Sequence, residues 1–293
     1  MPESLEPDQI QLRQGASSHL RAEIWCRITG NEFELPPGAT LEGPFSERGR
    51  TLTSRFTFVL IKQDAYTTTW RAILPEPVFW TPRMPAYYEL RGVPGVRKRI
   101  GLRELFVRRN SFFQEDRRWV PRASFAMENP LHSESNRWTD ADLVPIISPR
   151  NLNLANDAMA QGVPLIVDLS EDCVPSKLLT CIPYASITLL VLPSLTAEMI
   201  PAVQSAMSCH LPIGVHVTES GEIPEQAQFV VVSEDLLVRG WQTSRRLPVV
   251  VTREWSIEGR SPAELRAACD QFQAELEHGA DYAGLWLYPK TVP

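Results

Sequence analysis

The periodicity of apolar residues changes near residue 119, and this change constrains the fold more than any other feature of the sequence. Over residues 19–114, apolar and polar residues alternate in short runs such as LRAEIWCRIT and LTSRFTFVLIK, which are rich in Thr, Phe, Trp and Val. Turn residues such as Pro36-Pro37-Gly38 separate these runs. Alternation of period two, with regular turns and no helical window, predicts an antiparallel β-sandwich.

A different pattern begins after Trp119. Short apolar, β-branched runs, among them PLIVDLS, SITLLVL and QFVVVSE, alternate with windows of helical periodicity. The last window opens with Ser261-Pro262-Ala263-Glu264, which combines a helix N-cap, a proline in the first turn and an acidic residue at N3. Strands that are apolar throughout and alternate with helices predict a parallel sheet.

The number of strands in this second part favours a barrel. Seven strands are clear, and LVPIIS at 143–148 would be the eighth, so we expect a (β/α)8 barrel. About 174 residues follow position 119, whereas such barrels typically have about 250, so loops must be trimmed or elements missing. A doubly wound open sheet is the alternative, although no glycine-rich phosphate-binding turn follows the first strand.

These patterns divide the chain into three predicted regions. They are an N-terminal arm over 1–17, an immunoglobulin-like β-sandwich over 18–116 and a small TIM-type (β/α)8 barrel over 117–293. Four prolines between Pro75 and Pro85 exclude a helix or a central strand there, so we expect a bend between two strands of the sandwich, with Trp80 beneath it.

Composition and charge narrow the classes of function. The net charge of −6 and the pI of about 5.5 argue against nucleic acid or an anionic membrane surface as the main partner. No apolar run approaches the roughly 20 residues that span a bilayer. The first 15 residues lack the features of a signal peptide, and the five dispersed cysteines form no CxxC pair. We therefore expect reduced thiols and a cytoplasmic location.

No cofactor or metal is predicted. No two of the five histidines lie within five residues of each other, so they lack the spacing of metal ligands. His216 lies on a predicted strand, and we interpret it as a core residue with satisfied hydrogen bonds. Serines follow several strands, but none lies in a GxSxG nucleophile elbow.

Two motifs at the end of the sandwich carry a family resemblance. WTPRMPAYYEL, from Trp80, and RIGLR, from Arg99, follow each other in the sequence. They resemble glycoside hydrolase family 2, the group of β-galactosidases and β-glucuronidases. In that family the sandwich before the barrel closes with Trp-[Ser/Thr]-Pro-x-x-Pro-x-Leu-Tyr-x-Leu, and a Phe/Ile-Gly-x-Arg stretch follows. The resemblance implies that Trp80 is buried where the sandwich meets the barrel.

The same resemblance implies catalytic positions in the barrel. LPVVVTREW is similar to the family's seventh strand, whose end carries the nucleophilic Glu, so Glu254 takes that position, although Arg253 stands where the family has Thr. An ion pair with Arg253 is the alternative role for Glu254. AGLWLYP is similar to the eighth strand and places Trp286 at the Trp that forms the floor beneath the sugar. The fourth strand, SITLLVL, runs into Pro193-Ser194, where the family has the acid/base Asn-Glu.

This absence bears directly on catalysis. Retaining glycoside hydrolysis needs two carboxyl groups about 5–5.5 Å apart. Glu219, which follows GVHVT, is the best substitute for the acid/base among the acids that follow other strands. Trp255, His132 and Asp168 are further candidates for substrate binding, because aromatic faces and polar groups at a barrel rim suit a sugar.

We therefore expect a glycoside-hydrolase-like pseudoenzyme that binds carbohydrate or acts as a scaffold. Two alternatives stay open. The first is an active retaining glycosidase, in which Glu254 works with an atypical acid/base. The second is a structural or protein-interaction module with a filled barrel mouth. The sequence indicates neither a particular sugar nor an oligomeric state.

Overall fold

The computed structural model describes residues 6, 9–30, 35–131, 135–218, 222–276 and 281–290. Antiparallel sheets occupy the first part of the chain, and eight parallel strands close into a barrel in the second part. The structure thus has the predicted fold, a β-sandwich followed by a small (β/α)8 barrel. None of the described helices is long and apolar enough to cross a membrane.

Two four-stranded sheets form the sandwich. Their strands are β1 (Ile10–Ser18), β2 (Arg21–Thr29), β3 (Thr40–Phe45), β4 (Ser54–Thr57), β5 (Val59–Gln63), β6 (Thr67–Pro75), β7 (Tyr87–Arg91) and β8 (Lys98–Ile100). The first sheet has the order β1-β2-β6-β5 and the second β4-β3-β7-β8. Alternate side chains of both sheets, such as Ile24 and Leu90, fill the core between them. No helix occurs within 40–114, all of which the structure describes, as expected.

The N-terminal arm predicted for 1–17 is wrong from Ile10 onwards. Ile10–Ser18 forms β1 at an edge of the first sheet, where Ile10 lies opposite Ile28 of β2. Ile10 and Leu12 are buried, whereas Gln11 is exposed. This short alternation is the period-two signal of a strand, and pairing with β2 removes its apolar face from water.

The proline-rich bend joins β6 to β7 and anchors the sandwich on the barrel. Trp80 is only 3% exposed, and its indole Nε1 donates a hydrogen bond of 2.8 Å to the carbonyl of Met159 in the barrel. The expected burial of Trp80 at this joint is confirmed. Buried Trp N–H groups usually have such an acceptor, and this contact also fixes the orientation of the ring.

The RIGLR motif forms the second part of the joint. The backbone N–H of Gly101 donates to the carbonyl of Pro183, and a Cβ at Gly101 would lie 2.6 Å from the Cβ of Ala185. Only glycine therefore permits this close approach. The guanidinium of Arg103 is buried and donates hydrogen bonds to backbone carbonyls within 181–187. Hydrogen bonds from a charged donor contribute about 1.5–3 kcal/mol each, so Arg103 holds the two parts together.

A three-stranded sheet follows the sandwich in the sequence and precedes the barrel. Its strands are β9 (Leu105–Arg108), β10 (Ser111–Gln114) and β11 (Arg117–Trp119). Phe112 is fully buried, and its ring centroid lies 5.2 Å from that of Phe229, which begins a barrel strand. The sheet therefore closes the N-terminal end of the barrel. The domain border predicted at 116/117 falls in its second turn.

The barrel strands follow one another in sequence order, and the last pairs with the first. They are β12 (Arg122–Phe125), β13 (Val144–Ile147), β14 (Leu165–Asp168), β15 (Ile187–Leu192), β16 (Ile213–His216), β17 (Phe229–Ser233), β18 (Val249–Trp255) and β19 (Gly284–Pro289). LVPIIS forms β13 and thus supplies the strand that brings the total to eight, as expected. Apolar side chains such as Ile166, Leu189 and Val250 fill the interior.

Except for the last one, the described helices around the barrel are short. They are α1 (Ser135–Asp140), α2 (Ala155–Gln161), α3 (Pro175–Cys181), α4 (Ile200–Ser208), α5 (Glu234–Val238) and α6 (Pro262–Glu275), with 3-10 helices at Pro149–Leu154 and Ala197–Met199. The described part of the β16–β17 connection contains no helix. Ser261 and Glu264 form the predicted capping box of α6. The small size of the barrel thus results from shortened helices and one connection without a described helix.

Candidate functional site

The C-terminal ends of the barrel strands carry polar side chains above the apolar interior. A cleft of about 480 Å³ opens there; its lining residues are His216, Ser233, Glu234, Asp235, Thr252, Arg253, Glu254, Tyr288 and Pro289. We call this cleft the barrel mouth. Because side chains alternate along a strand, the residues that face inward at each strand end converge on one place.

Asp168 is the central acceptor beside the barrel mouth. Its Oδ2 lies 3.0 Å from Nε2 of His216 and accepts a hydrogen bond of 2.7 Å from the hydroxyl of Tyr288. Its Oδ1 accepts from the backbone N–H of Ser170 at 2.9 Å and from the Ser170 hydroxyl. Asp168 ends β14, His216 ends β16 and Tyr288 lies near the end of β19. The carboxyl group therefore ties three separate strands together at their ends.

The environment keeps Asp168 ionised and Tyr288 neutral. Burial raises the pKa of Asp168, but the hydrogen bond and charge of His216, with the hydrogen bonds from Ser170 and Tyr288, outweigh burial and lower the net pKa. Burial, followed by the negative charge of Asp168, raises the pKa of Tyr288 well above 10. Since an ionised carboxylate only accepts, Nε2 of His216 carries the proton in their hydrogen bond.

Arg253 and Glu254 are neighbours on β18 but face opposite sides. The guanidinium of Arg253 points towards the helices, where Nε donates to Glu234 at 2.6 Å and Nη1 donates to Glu275 at 2.5 Å. It also lies 4.1 Å from the ring centroid of Phe272 on α6. The hydrogen bond to Glu234 is the largest cause that raises the pKa of Arg253. Arg253 thus has two other carboxylates as partners, and Glu254 lies in the barrel mouth opposite Tyr288.

The structure places the other predicted site residues in different environments. Trp286 pairs with Thr252, is fully buried, and packs beneath the barrel mouth with its ring centroid 6.3 Å from that of Phe229. Trp255 is half-buried and packs against the core between strands and helices, outside the barrel. Glu219 and His132 lie outside the described residues. Of the predicted set, Glu254 and Asp168 therefore lie at the mouth and beside it, and their roles stay predictions.

The fourth barrel strand ends without a carboxyl group. β15 stops at Leu192, and Pro193 and Ser194 follow, as the sequence indicates. These two residues line a smaller cleft of about 100 Å³, which also contacts His216 and Glu222. Among the described residues, no three His, Cys, Asp or Glu side chains are grouped so that they could hold a metal ion.

A larger groove adjoins the barrel mouth. It measures about 660 Å³ and lies between the segments that follow β12 and β18, with Met127, Trp138 and Arg260 in its lining. Phe125 also lines this groove, and its ring centroid is 6.1 Å from that of Tyr288. The Phe125–Tyr288 pair therefore separates the groove from the mouth.

Sequence reasoning missed two members of the polar cluster. Tyr288 was not identified, although it follows Trp286 by two residues and must share its face of β19. His216 was interpreted as a core residue, and its hydrogen bond to Asp168 satisfies that interpretation but places the ring at the edge of the mouth. Alternation along β19 could have found Tyr288. Nothing local to either sequence segment indicates that Asp168 and His216 meet.

Solved structures with the same fold include enzymes of glycoside hydrolase family 2. The β-glucuronidase of Bifidobacterium dentium, solved with coumarin-3-O-glucuronide, is 10% identical, with 96% of this chain and 60% of that chain covered and a TM-score of 0.55. The β-glucuronidase of Parabacteroides merdae is 12% identical, with 97% and 47% covered and a TM-score of 0.58. A β-galactosidase-like protein of Bacteroides fragilis is 12% identical, with 95% and 54% covered and a TM-score of 0.52.

The chain spans about half the length of the solved structures it matches. Neither a protein-family model nor a curated protein sequence matches it. At identities this low, structural similarity shows a shared fold and no more. The shared part is the sandwich followed by the barrel. The chemistry of the barrel mouth must be argued from its own residues.

Proposed function

We propose that the protein binds a carbohydrate in the barrel mouth and does not hydrolyse it by the two-carboxylate mechanism. The observation that carries this proposal is the end of the fourth barrel strand, where Pro193 and Ser194 occupy the place of an acid/base. Protonation of the leaving group contributes about 10²–10⁴ in rate, so its loss removes most of the turnover.

Two of the carboxyl groups described near the mouth, those of Asp168 and Glu234, are poor substitutes for this acid. Asp168 has a lowered pKa and holds no proton at neutral pH. The carboxylate of Glu234 is already held by the guanidinium of Arg253. A general acid needs a pKa raised towards the working pH and a proton that it can give to the leaving group.

The barrel mouth nevertheless has the features of a sugar site. Its volume of about 480 Å³ lies within the range of small-molecule sites. Ser233, Thr252 and Glu254 supply hydroxyl and carboxylate groups that pair with sugar hydroxyls. The Tyr288 ring supplies an apolar surface beside them.

Calorimetry and hydrolysis assays test both parts of the proposal. The binding panel consists of the methyl α- and β-glycosides of glucose, galactose and mannose, together with their β-linked disaccharides. The hydrolysis panel consists of the 4-nitrophenyl β-glycosides of the same sugars. We expect saturable binding of at least one sugar and no hydrolysis above the uncatalysed rate.

Two outcomes favour the alternatives. Hydrolysis that Glu254→Gln abolishes would identify an active retaining glycosidase, with Glu219 as the first candidate for its acid/base. The position of Glu254 at the end of β18 is the observation that supports this alternative. If no sugar of the panel binds, the protein is a structural or interaction module instead.

A further inference from the structure

We propose that the barrel mouth selects uncharged sugars and rejects sugars that carry a carboxylate, the uronic acids. This inference rests on the proposed function and names the ligand class of the same site. It follows from the positions of the cations around the mouth. Recognition of a uronic acid needs a guanidinium or ammonium group that is available to the ligand's carboxylate.

The barrel mouth has no such available cation among the residues that the structure describes. Every one of the 29 Lys and Arg residues lies in the described ranges. Of these Lys and Arg residues, only Arg253 lines the mouth. Its side chain is 14% exposed, and its guanidinium is held by Glu234 and Glu275 over the Phe272 ring. A ligand carboxylate would have to displace a carboxylate that is already bound.

Apart from Arg253 and His216, which is hydrogen-bonded to Asp168, the charged side chains of the mouth are acidic. Glu234, Asp235 and Glu254 line it, and the ionised Asp168 accepts from His216 and Tyr288 directly behind. The carboxylate of a uronic acid that enters the mouth is repelled by these groups, and it loses hydration without gaining a counterion. The smaller cleft on the other side of His216 adds Glu222, and its described lining contains no Lys or Arg. Arg137 and Arg260 line the larger groove, which the Phe125–Tyr288 pair separates from the mouth.

The same groups favour uncharged sugars. A carboxylate only accepts hydrogen bonds, and each sugar hydroxyl can donate one. Hydrogen bonds in which the acceptor is ionised are shorter and stronger than neutral ones. The mouth is therefore rich in strong acceptors for hydroxyl groups, whereas a C6 carboxylate replaces one donor with a further acceptor.

Calorimetry with matched ligand pairs tests this inference. For each methyl glycoside of glucose, galactose or mannose that binds, the corresponding methyl glycosiduronate is measured at pH 7 and about 20 mM salt. We expect the uncharged member to bind at least tenfold more tightly, which corresponds to about 1.4 kcal/mol. About 0.5 M salt should narrow this ratio, because it screens charges that are exposed in the mouth.

Charge variants identify the origin of the ratio. Glu234→Gln removes one negative charge from the mouth and one partner of Arg253. We therefore expect the ratio of the affinities for the uncharged sugar and the uronate to fall at least threefold. Glu198→Gln is the control, since Glu198 is exposed, follows β15 and does not line the mouth. It should leave the ratio unchanged. Thermal melts confirm that both variants stay folded.

The outcomes separate this inference from the proposed function. A uronate that binds as tightly as its uncharged partner overturns the inference and leaves sugar binding standing. A ratio that Glu234→Gln does not change also overturns it, because selection would then come from shape. If no sugar or uronate binds, both the proposed function and this inference are wrong.

Discussion

The two ends of the barrel differ in how they are filled. At the N-terminal end, Phe112 enters from the three-stranded sheet and packs on Phe229, which packs on Trp286. At the C-terminal end, Asp168 accepts hydrogen bonds from His216 and Tyr288 beside an open cleft. Trp286 and Tyr288 are two residues apart on one face of β19, so the interior changes from apolar to polar between two successive inward-facing residues.

This difference separates stability from chemistry. Apolar burial has no directional requirement and is complete without a ligand. The polar end depends on specific hydrogen bonds, and acidic side chains line the cleft beside it. In barrels of this type the N-terminal face serves stability and the C-terminal face carries sites. Substitutions at the two ends should therefore have different effects on unfolding and on ligand binding.

The largest effect is expected at the closed end. Phe112→Ala leaves a cavity against Phe229 and should lower the free energy of unfolding by about 3–5 kcal/mol. Denaturant unfolding measures this loss. The affinity for any sugar that binds should change less than twofold, because Phe112 lies at the opposite end from the mouth.

Phe113→Ala is the control for this prediction. Phe113 is adjacent on β10 but only half-buried, and its ring contacts Arg108. Phe113→Ala should lower the free energy of unfolding clearly less than Phe112→Ala does. An equal cost for the two substitutions, or a change in sugar affinity with Phe112→Ala, would contradict the separation of the two ends.

Local patterns in the sequence were enough to predict most of the fold. Apolar runs such as SITLLVL predict buried strands because parallel strands are covered on both faces, and this run became β15. Ser261 and Glu264 marked the start of α6 through local capping chemistry. β1 was missed because its alternation is short and its sequence rich in polar residues. Its strand nature depends on a partner, β2, that a local pattern does not supply.

The candidate site was less predictable because it depends on distant contacts. Asp168 lies 48 residues from His216 and 120 residues from Tyr288 in the sequence. Periodicity shows that each faces inward, but the closure of the barrel decides which strand ends are close enough for a hydrogen bond. The same limit applies to Arg253. Its neighbour in sequence was Glu254, whereas its hydrogen-bond partners are Glu234 and Glu275.

The second prediction concerns the polar end. Asp168→Asn removes the charge that accepts from His216, Ser170 and Tyr288, and we expect a loss of about 1.5–3 kcal/mol in the free energy of unfolding at pH 7. Because the pKa of Asp168 is lowered in the folded protein, its contribution is complete above the ordinary value of about 4. The contribution is lost as the pH falls through the lowered pKa.

The difference between wild type and Asp168→Asn should therefore shrink below about pH 4. Denaturant unfolding at a series of pH values checks this. Asp281→Asn is the control, since Asp281 is exposed and pairs with Arg118, which is also exposed. A difference for Asp168→Asn that is constant from pH 7 to pH 2.5 would mean that its ionisation contributes nothing.

The smallest effect is expected for a single hydroxyl at the mouth. Tyr288→Phe keeps the ring against Phe125 and His216 but removes the donor to Asp168, so we expect a loss of about 1.5 kcal/mol, the lower end of the range for a hydrogen bond to a charged group. Tyr184→Phe is the matched control, because Tyr184 is also partly buried and its hydroxyl makes no hydrogen bond to a described residue. The double variant with Asp168→Asn isolates the interaction, since the cost of Tyr288→Phe should fall when the carboxylate is absent. If Tyr288→Phe costs the same in both backgrounds, the hydroxyl does not act through Asp168, and the polar end is held by packing like the closed one.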